Sequence, residues 1–215
     1  MGDQTELQNR LRTQRPVDWE QLPDFSLYMD QVLSYMDRQV LRFDGDDGLT
    51  AAMVNNYTKG GLLPRAEGKK YSREHLAYLT VICVLKQVLS TRDMKLLLDQ
   101  ELKDSGSVDT GYATFCRSLD GSMSLIADQM DRYQDPEKLA DSAIHFALLS
   151  YAAGAASRRY VTMLRRRQEA PVKAAPEPLR RGAHGCPSRL PFGMTRRSFR
   201  HVRPRSVACM RRLPS

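Results

Sequence analysis

Ser72 and Ser90 each open an apolar stretch with the period of an α-helix, and only one helix length separates them. After Ser72 the apolar positions Leu76, Leu79, Val81, Ile82, Leu85 and Val88 predict a helix over 73–88. Ser90-Thr91-Arg92-Asp93 is a capping box with Asp where Glu is usual, and it opens a second helix through Met94, Leu97, Leu98 and Leu102. Two consecutive capped helices with apolar faces require partners to cover those faces, so the core is expected to be helical.

The neighbouring segments supply further elements. Thr50 is an N-cap for a short helix AAMVNNYTK that stops at Gly60-Gly61. LLPRAEGKKYS follows, and its central Glu67-Gly68 fits a small hairpin or hairpin-like loop. Upstream, Asp24 can cap an amphipathic helix over 25–42 through Phe25, Tyr28, Met29, Val32, Tyr35 or Met36, and Val40, closed by the turn cluster DGDDG at 44–48. Calcium binding is rejected for that cluster, because Asn55 stands where a calcium loop needs its last carboxylate. Residues 104–111 read as a Gly/Ser/Asp linker, followed by helices near 110–119, 122–133 and 137–164, the last with Pro136 ahead of it. Its small-residue stretch AAGAAS is an internal or an intersubunit packing surface, internal packing being the expectation.

With 215 residues, 41% of them hydrophobic, the chain suits one medium domain with appendages or two small ones. The most apolar run, LAYLTVICVL, is too short to span a membrane, and MGDQTELQNRLRTQR has no apolar leader core. A cytoplasmic location without membrane contact is therefore expected. Cys83, Cys116, Cys186 and Cys209 form no CxxC pair and read as reduced thiols, so no metal and no cofactor is expected. His75 and His145 read as surface or packed side chains, and the absence of any Ser-His-Asp, Cys-His or HExxH arrangement or Gly-rich phosphate loop makes a non-catalytic protein the expectation.

Charge divides the chain unevenly. Residues 165–215 hold 14 Lys+Arg against 2 Glu, whereas residues 1–164 hold 19 against 23. Inside that acidic body lies a basic island over 49–98, with Lys59, Arg65, Lys69, Lys70, Arg73, Lys86, Arg92 and Lys95 against Glu67, Glu74 and Asp93. Positive potential concentrated in one place suits a phosphate-binding surface. The last segment, with seven of the 11 prolines and no apolar period, is expected to be disordered. It reads either as a basic arm adding nonspecific DNA affinity or as the out-of-frame readout of a GC-rich gene, which Phe192, Phe199, Cys186 and Cys209 scattered through it favour.

LTAAMVNNYTKGGLLP, followed by KKYSREHLAYLTVICVLKQVLSTRDMKLLL, resembles the MerR-type winged helix-turn-helix. Tyr57, Gly61, Leu62, Leu63, Pro64, Lys70, Tyr71, Ser72, Leu76, Leu79, Ile82, Ser90, Leu97 and Leu98 fall in corresponding places. PDFSLYMDQVLSYMDRQ joined to LTAAMVNNYTKGGLLP also resembles a bacterial family known as domain of unknown function 1836, over about 23–160. The expected fold is all-α with a small β wing. It divides into a flexible lead-in 1–22, a winged helix-turn-helix 23–103, a helical packing or dimerisation region 104–164 and the basic tail 165–215.

The MerR likeness implies that the short helix enters the major groove of duplex DNA and that the wing touches phosphate. Ala52, Asn55, Asn56, Thr58 and Lys59 would then face DNA, Arg65, Lys69, Lys70 and Arg73 would meet phosphate, and the capped helix ends at Thr50 and Ser72 would lend their N–H groups. An Asn amide suits adenine, and Lys59 suits a phosphate. Ala52 and Asn55 stand where that family usually carries arginines, so strong guanine readout is absent. The expectation is a homodimeric transcriptional regulator. The alternative is a non-catalytic interaction module that holds a partner helix on a winged-helix scaffold.

Overall fold

Leu76, Leu79 and Ile82 are wholly buried on one helix and belong to the larger apolar core. The structure, a computed structural model, describes residues 2–39, 48–133 and 135–169. The elements are α1 (Gly2–Thr13), a 3-10 turn (Trp19–Gln21), β1 (Leu27–Tyr28), α2 (Met29–Gln39), α3 (Ala51–Lys59), β2 (Lys70–Tyr71) and α4 (Arg73–Leu85). They continue with α5 (Thr91–Ser105), α6 (Val108–Met130), a second 3-10 turn (Pro136–Lys138) and α7 (Leu139–Glu169). The expected extension of the second helix to 42, most of the DGDDG cluster, and the tail from 170 onward lie outside the described residues. No described helix is long and apolar enough to cross a membrane.

The main core joins Val32 and Met36 of α2, Val54 and Tyr57 of α3, the α4 leucines, Met94 of α5 and Tyr112 of α6. Leu62 and Leu63 close it from the loop after α3. Ser90 caps α5 as expected: its Oγ accepts from the Asp93 N–H at 3.2 Å and donates to the Asp93 carboxylate at 2.8 Å.

Several expectations are corrected. The helix expected from residue 25 begins at Met29, because Leu27 and Tyr28 are extended and pair antiparallel with Tyr71 and Lys70. Gln31 Oε1, rather than Asp24, meets the first free amide there, accepting from the Tyr28 N–H at 2.9 Å, and Phe25 is exposed. The helix expected over 73–88 stops at Leu85, leaving Val88 73% exposed. The 104–111 linker shrinks to Gly106, which ends α5 with φ 78°, and Ser107, which precedes α6. The two helices expected over 110–119 and 122–133 are one, α6, which runs through Gly121. A helix-interior glycine costs about 1 kcal/mol against alanine, and packing against α1, α4 and α5 outweighs it.

The lead-in is also more ordered than its polarity suggests. Helix α1 lies along α6, where Leu11 joins Met123, Ala127 and Met130 in a second small cluster. Arg12 reaches Asp128 and Asp131 at 3.1 and 2.7 Å, and Arg15 pairs with Asp120 at 2.5 Å. At the other end α7 runs five residues past its expected limit and is tied to α5 by Arg165 on Asp93, the same acid that helps cap α5. Phe146 and Val161 of α7 turn inward, while Ile144, Leu148, Tyr151 and the alanines of the small-residue stretch are exposed, contrary to the internal packing expected of that stretch.

Candidate nucleic-acid interface

Helix α3 matches its expected limits because its ends are set by local chemistry. Thr50 Oγ1 accepts from the Met53 N–H at 3.2 Å. At the far end the N–H groups of Leu62 and Leu63 both reach the Tyr57 carbonyl, at 2.9 and 3.2 Å, which folds the chain back under the helix. Gly61 makes that bend at φ 66°, and a side chain there would crowd Lys95, whose Nζ donates to the Gly61 carbonyl at 2.6 Å. Lys95 also pairs with Asp99 at 3.5 Å, so this member of the basic island has a structural duty.

Val54, wholly buried, and Tyr57 anchor one side of α3. Ala52, Asn55, Asn56 and Lys59, at positions i, i+3, i+4 and i+7, are exposed and share another face. Thr58 does not belong with them: it is half-buried and its Oγ1 donates to the Val54 carbonyl at 3.0 Å, the usual back-bond of a helical threonine.

After α3, Lys59 and Arg65 border one cleft of about 400 Å³ together with Thr58, Pro64, Tyr78 and Asp99. Burial raises the Tyr78 phenol above its ordinary value, with smaller contributions from Glu74 and Asp99. The hairpin expected over LLPRAEGKKYS is reduced to its tip: Glu67 and Lys70 exchange backbone hydrogen bonds of 3.1 and 2.9 Å around Gly68 and Lys69. Both central residues have positive φ, 55° and 66°, as the tight turn of a two-residue hairpin requires. Lys70 then pairs with Tyr28 across the β1–β2 ladder, and its ammonium lies 5.4 Å from the Tyr28 ring centre. Lys69 and Lys70 thus stand exposed at the tip of a small β-structure built from two distant parts of the chain.

Arg73 is placed differently from its expected phosphate role. Its guanidinium lies over the Trp19 ring at 5.7 Å, and its Nε is buried without a hydrogen-bond partner among the described residues. His75, expected only as a surface or packed side chain, links the turn to α4. Its Nδ1 accepts from the Ser72 N–H at 3.1 Å, and its Nε2 lies 3.3 Å from the Arg65 carbonyl, which makes Nε2–H the donor. The Ser72-x-x-His75 spacing is that of a capping box and was the available signal for this contact. Trp19 and Tyr28 carried no such signal, since their partners lie far along the chain.

The ten expected residues therefore form no single cluster. Ala52, Asn55, Asn56 and Lys59 share the α3 face below the cap Thr50; Thr58, Lys59 and Arg65 share the cleft, Lys69 and Lys70 share the turn, and Arg73 lies over Trp19. Among the described residues no three His, Cys, Asp or Glu side chains are grouped to hold a metal. No curated protein and no solved structure matches the chain. The family resemblance expected over 23–160 is found over a different span: residues 17–115, from just ahead of the first 3-10 turn into α6, match the family model described as Domain of unknown function (DUF1836).

Proposed function

We propose that this protein is a transcriptional regulator that reads duplex DNA with the exposed face of α3 and holds phosphate with the 67–70 turn. In this reading α2 and α3 are the two helices of a MerR-like winged helix-turn-helix, and the turn with the β1–β2 ladder is its wing. The observation that carries it is the division of α3, with Val54 and Tyr57 fixed in the core and Ala52, Asn55, Asn56 and Lys59 outside. The asparagine amides can pair with adenine N6 and N7, Ala52 can meet a thymine methyl group, and Lys59 can neutralise phosphate. Lys69 and Lys70 add two charges at the turn, and the amides at the Thr50-capped end of α3 suit an anion.

A homodimer supplies the second half-site. Ile144, Leu148 and Tyr151 of α7 are exposed at spacings of four and three residues, the pattern of a helix-pairing seam, and the small residues after them permit close approach.

One observation favours a second reading, a protein-interaction module: the α3 face carries a single charge, Lys59, and the adjoining cleft includes Asp99. Selection from a pool of genomic fragments, with the whole chain and with a chain ending at Glu169, separates the two. A DNA reader enriches a shared motif with both chains, and Asn55→Ala/Asn56→Ala loses it. Enrichment that disappears with the tail, together with a stoichiometric protein partner that survives nuclease, would instead support the module.

A further inference from the structure

Another cleft lies between α4, α5 and the first half of α6 and encloses about 280 Å³. Val81 and Leu85 come from α4, Leu98 and Leu102 from α5, and Val108 and Phe115 from α6. These are the apolar faces whose periodicity marked the helices, yet they do not close on each other; Leu85, Leu98 and Phe115 are only half-buried and Leu102 is exposed. Gly111 sets the spacing at one end, where α6 passes so close to α5 that an added Cβ would lie 3.1 Å from Ser105 Oγ.

An apolar cavity of about 150 Å³ holds one benzene ring, and ligand pockets begin near about 300 Å³. The α4–α5–α6 cleft therefore has room for a ring and a short chain. The Ser105 hydroxyl in its lining is committed to the Glu101 and Ser107 carbonyls at 2.7 and 3.1 Å. The Tyr112 hydroxyl is likewise committed, to the Val17 carbonyl at 2.8 Å.

The charge of the lining is one-sided. It contains no Lys, Arg or His, and Glu101 is its only carboxylate. That carboxylate has no ion pair or hydrogen bond among the described residues. Glu101 is exposed, and a negative group beside an apolar cleft repels an anionic ligand and attracts a cationic one.

We infer that the α4–α5–α6 cleft is a binding site for a small hydrophobic organic cation, an amine of about ten to twelve non-hydrogen atoms whose apolar part fills the cleft and whose ammonium meets Glu101. The site stands independently of the DNA proposal, because its occupancy is read without DNA. Tyr78 walls both this cleft and the polar cleft beside Lys59 and Arg65, so a bound molecule would touch a ring shared with the proposed interface.

Calorimetry on the whole chain with 4-phenylbutylammonium, 4-phenylbutanol and 4-phenylbutyrate tests the inference, since the three share a hydrophobic body and differ in charge. The ammonium is expected to bind at least about fivefold more tightly than the alcohol, and the carboxylate most weakly, an advantage in the range of one charged contact. Glu101→Gln, at an exposed position, should remove the advantage of the ammonium and leave the alcohol unchanged. The inference is overturned if none of the three binds, if the alcohol or the carboxylate matches the ammonium, or if Glu101→Gln leaves the preference intact.

Discussion

Lys69 occupies backbone that favours glycine, with φ 66° at the centre of the Glu67–Lys70 turn. An L side chain there costs about 1 kcal/mol, so structural economy alone would place Gly at 69 as it does at 68. Retaining a lysine fits a role for its charge. Lys69→Gly is expected to raise the melting temperature by a few degrees while weakening duplex binding and lowering its salt dependence. Melting and anisotropy on the same preparation check this, and a tighter fold with unchanged binding would reduce the turn to scaffolding. His75 shows the opposite case, a side chain whose work is internal. His75→Ala leaves the Ser72 amide and Arg65 carbonyl without their partner and opens a gap beside Tyr71, at a cost of about 1–3 kcal/mol by urea unfolding. A loss below about 0.5 kcal/mol would show that water replaces the imidazole at little cost.

Elements whose limits are set by neighbouring residues were legible in the sequence. Helices α3 and α5 begin at Thr50 and Ser90 because a hydroxyl there meets an amide three residues on, and α3 ends where Gly60-Gly61 permits the turn. Elements set by distant partners were not. Leu27 and Tyr28 fall within the helix expected from residue 25 and become a strand because Tyr71 and Lys70 arrive beside them. Helix α1 has too few apolar residues to announce a packed face, and the ionic partners of Arg12 and of Arg15 just past its end, Asp128, Asp131 and Asp120, lie more than a hundred residues away. Such surface pairs contribute at most about 1 kcal/mol each, so Leu11 is the anchor. Leu11→Ala is expected to cost about 2 kcal/mol and to release α1 for hydrogen exchange before α4. Equal protection of α1 in both proteins would assign its docking to the arginines instead. The proposed interface was legible to the same degree as its elements: the exposed α3 face follows from helical spacing, whereas the diversion of Arg73 to Trp19 depends on a contact between distant residues.

Across the whole molecule, burial raises the phenols of Tyr35, Tyr71, Tyr78 and Tyr112 above the ordinary value of 10.0. As pH passes that value the unfolded chain loses phenolic protons that the folded chain keeps, so the equilibrium moves toward unfolding. The stability these groups contribute is present in full below pH 10.0 and declines above it, and urea midpoints measured between about pH 8 and pH 11 should show that decline. A constant midpoint through that window would mean that the rings ionise as readily folded as unfolded. The charge pattern leads to the central claim. Within an acidic body, the proposed interface offers few exposed positive groups, chiefly Lys59, Arg65, Lys69 and Lys70, so the phosphate contacts it would make can be counted. The most direct measurement is duplex affinity of the chain ending at Glu169 as salt is raised, beside Lys69→Ala/Lys70→Ala. The proposed interface predicts a linear fall of log affinity with log salt, its slope reduced by about one to two units in the variant. Binding no stronger than background at low salt, or identical slopes in the two proteins, would contradict it.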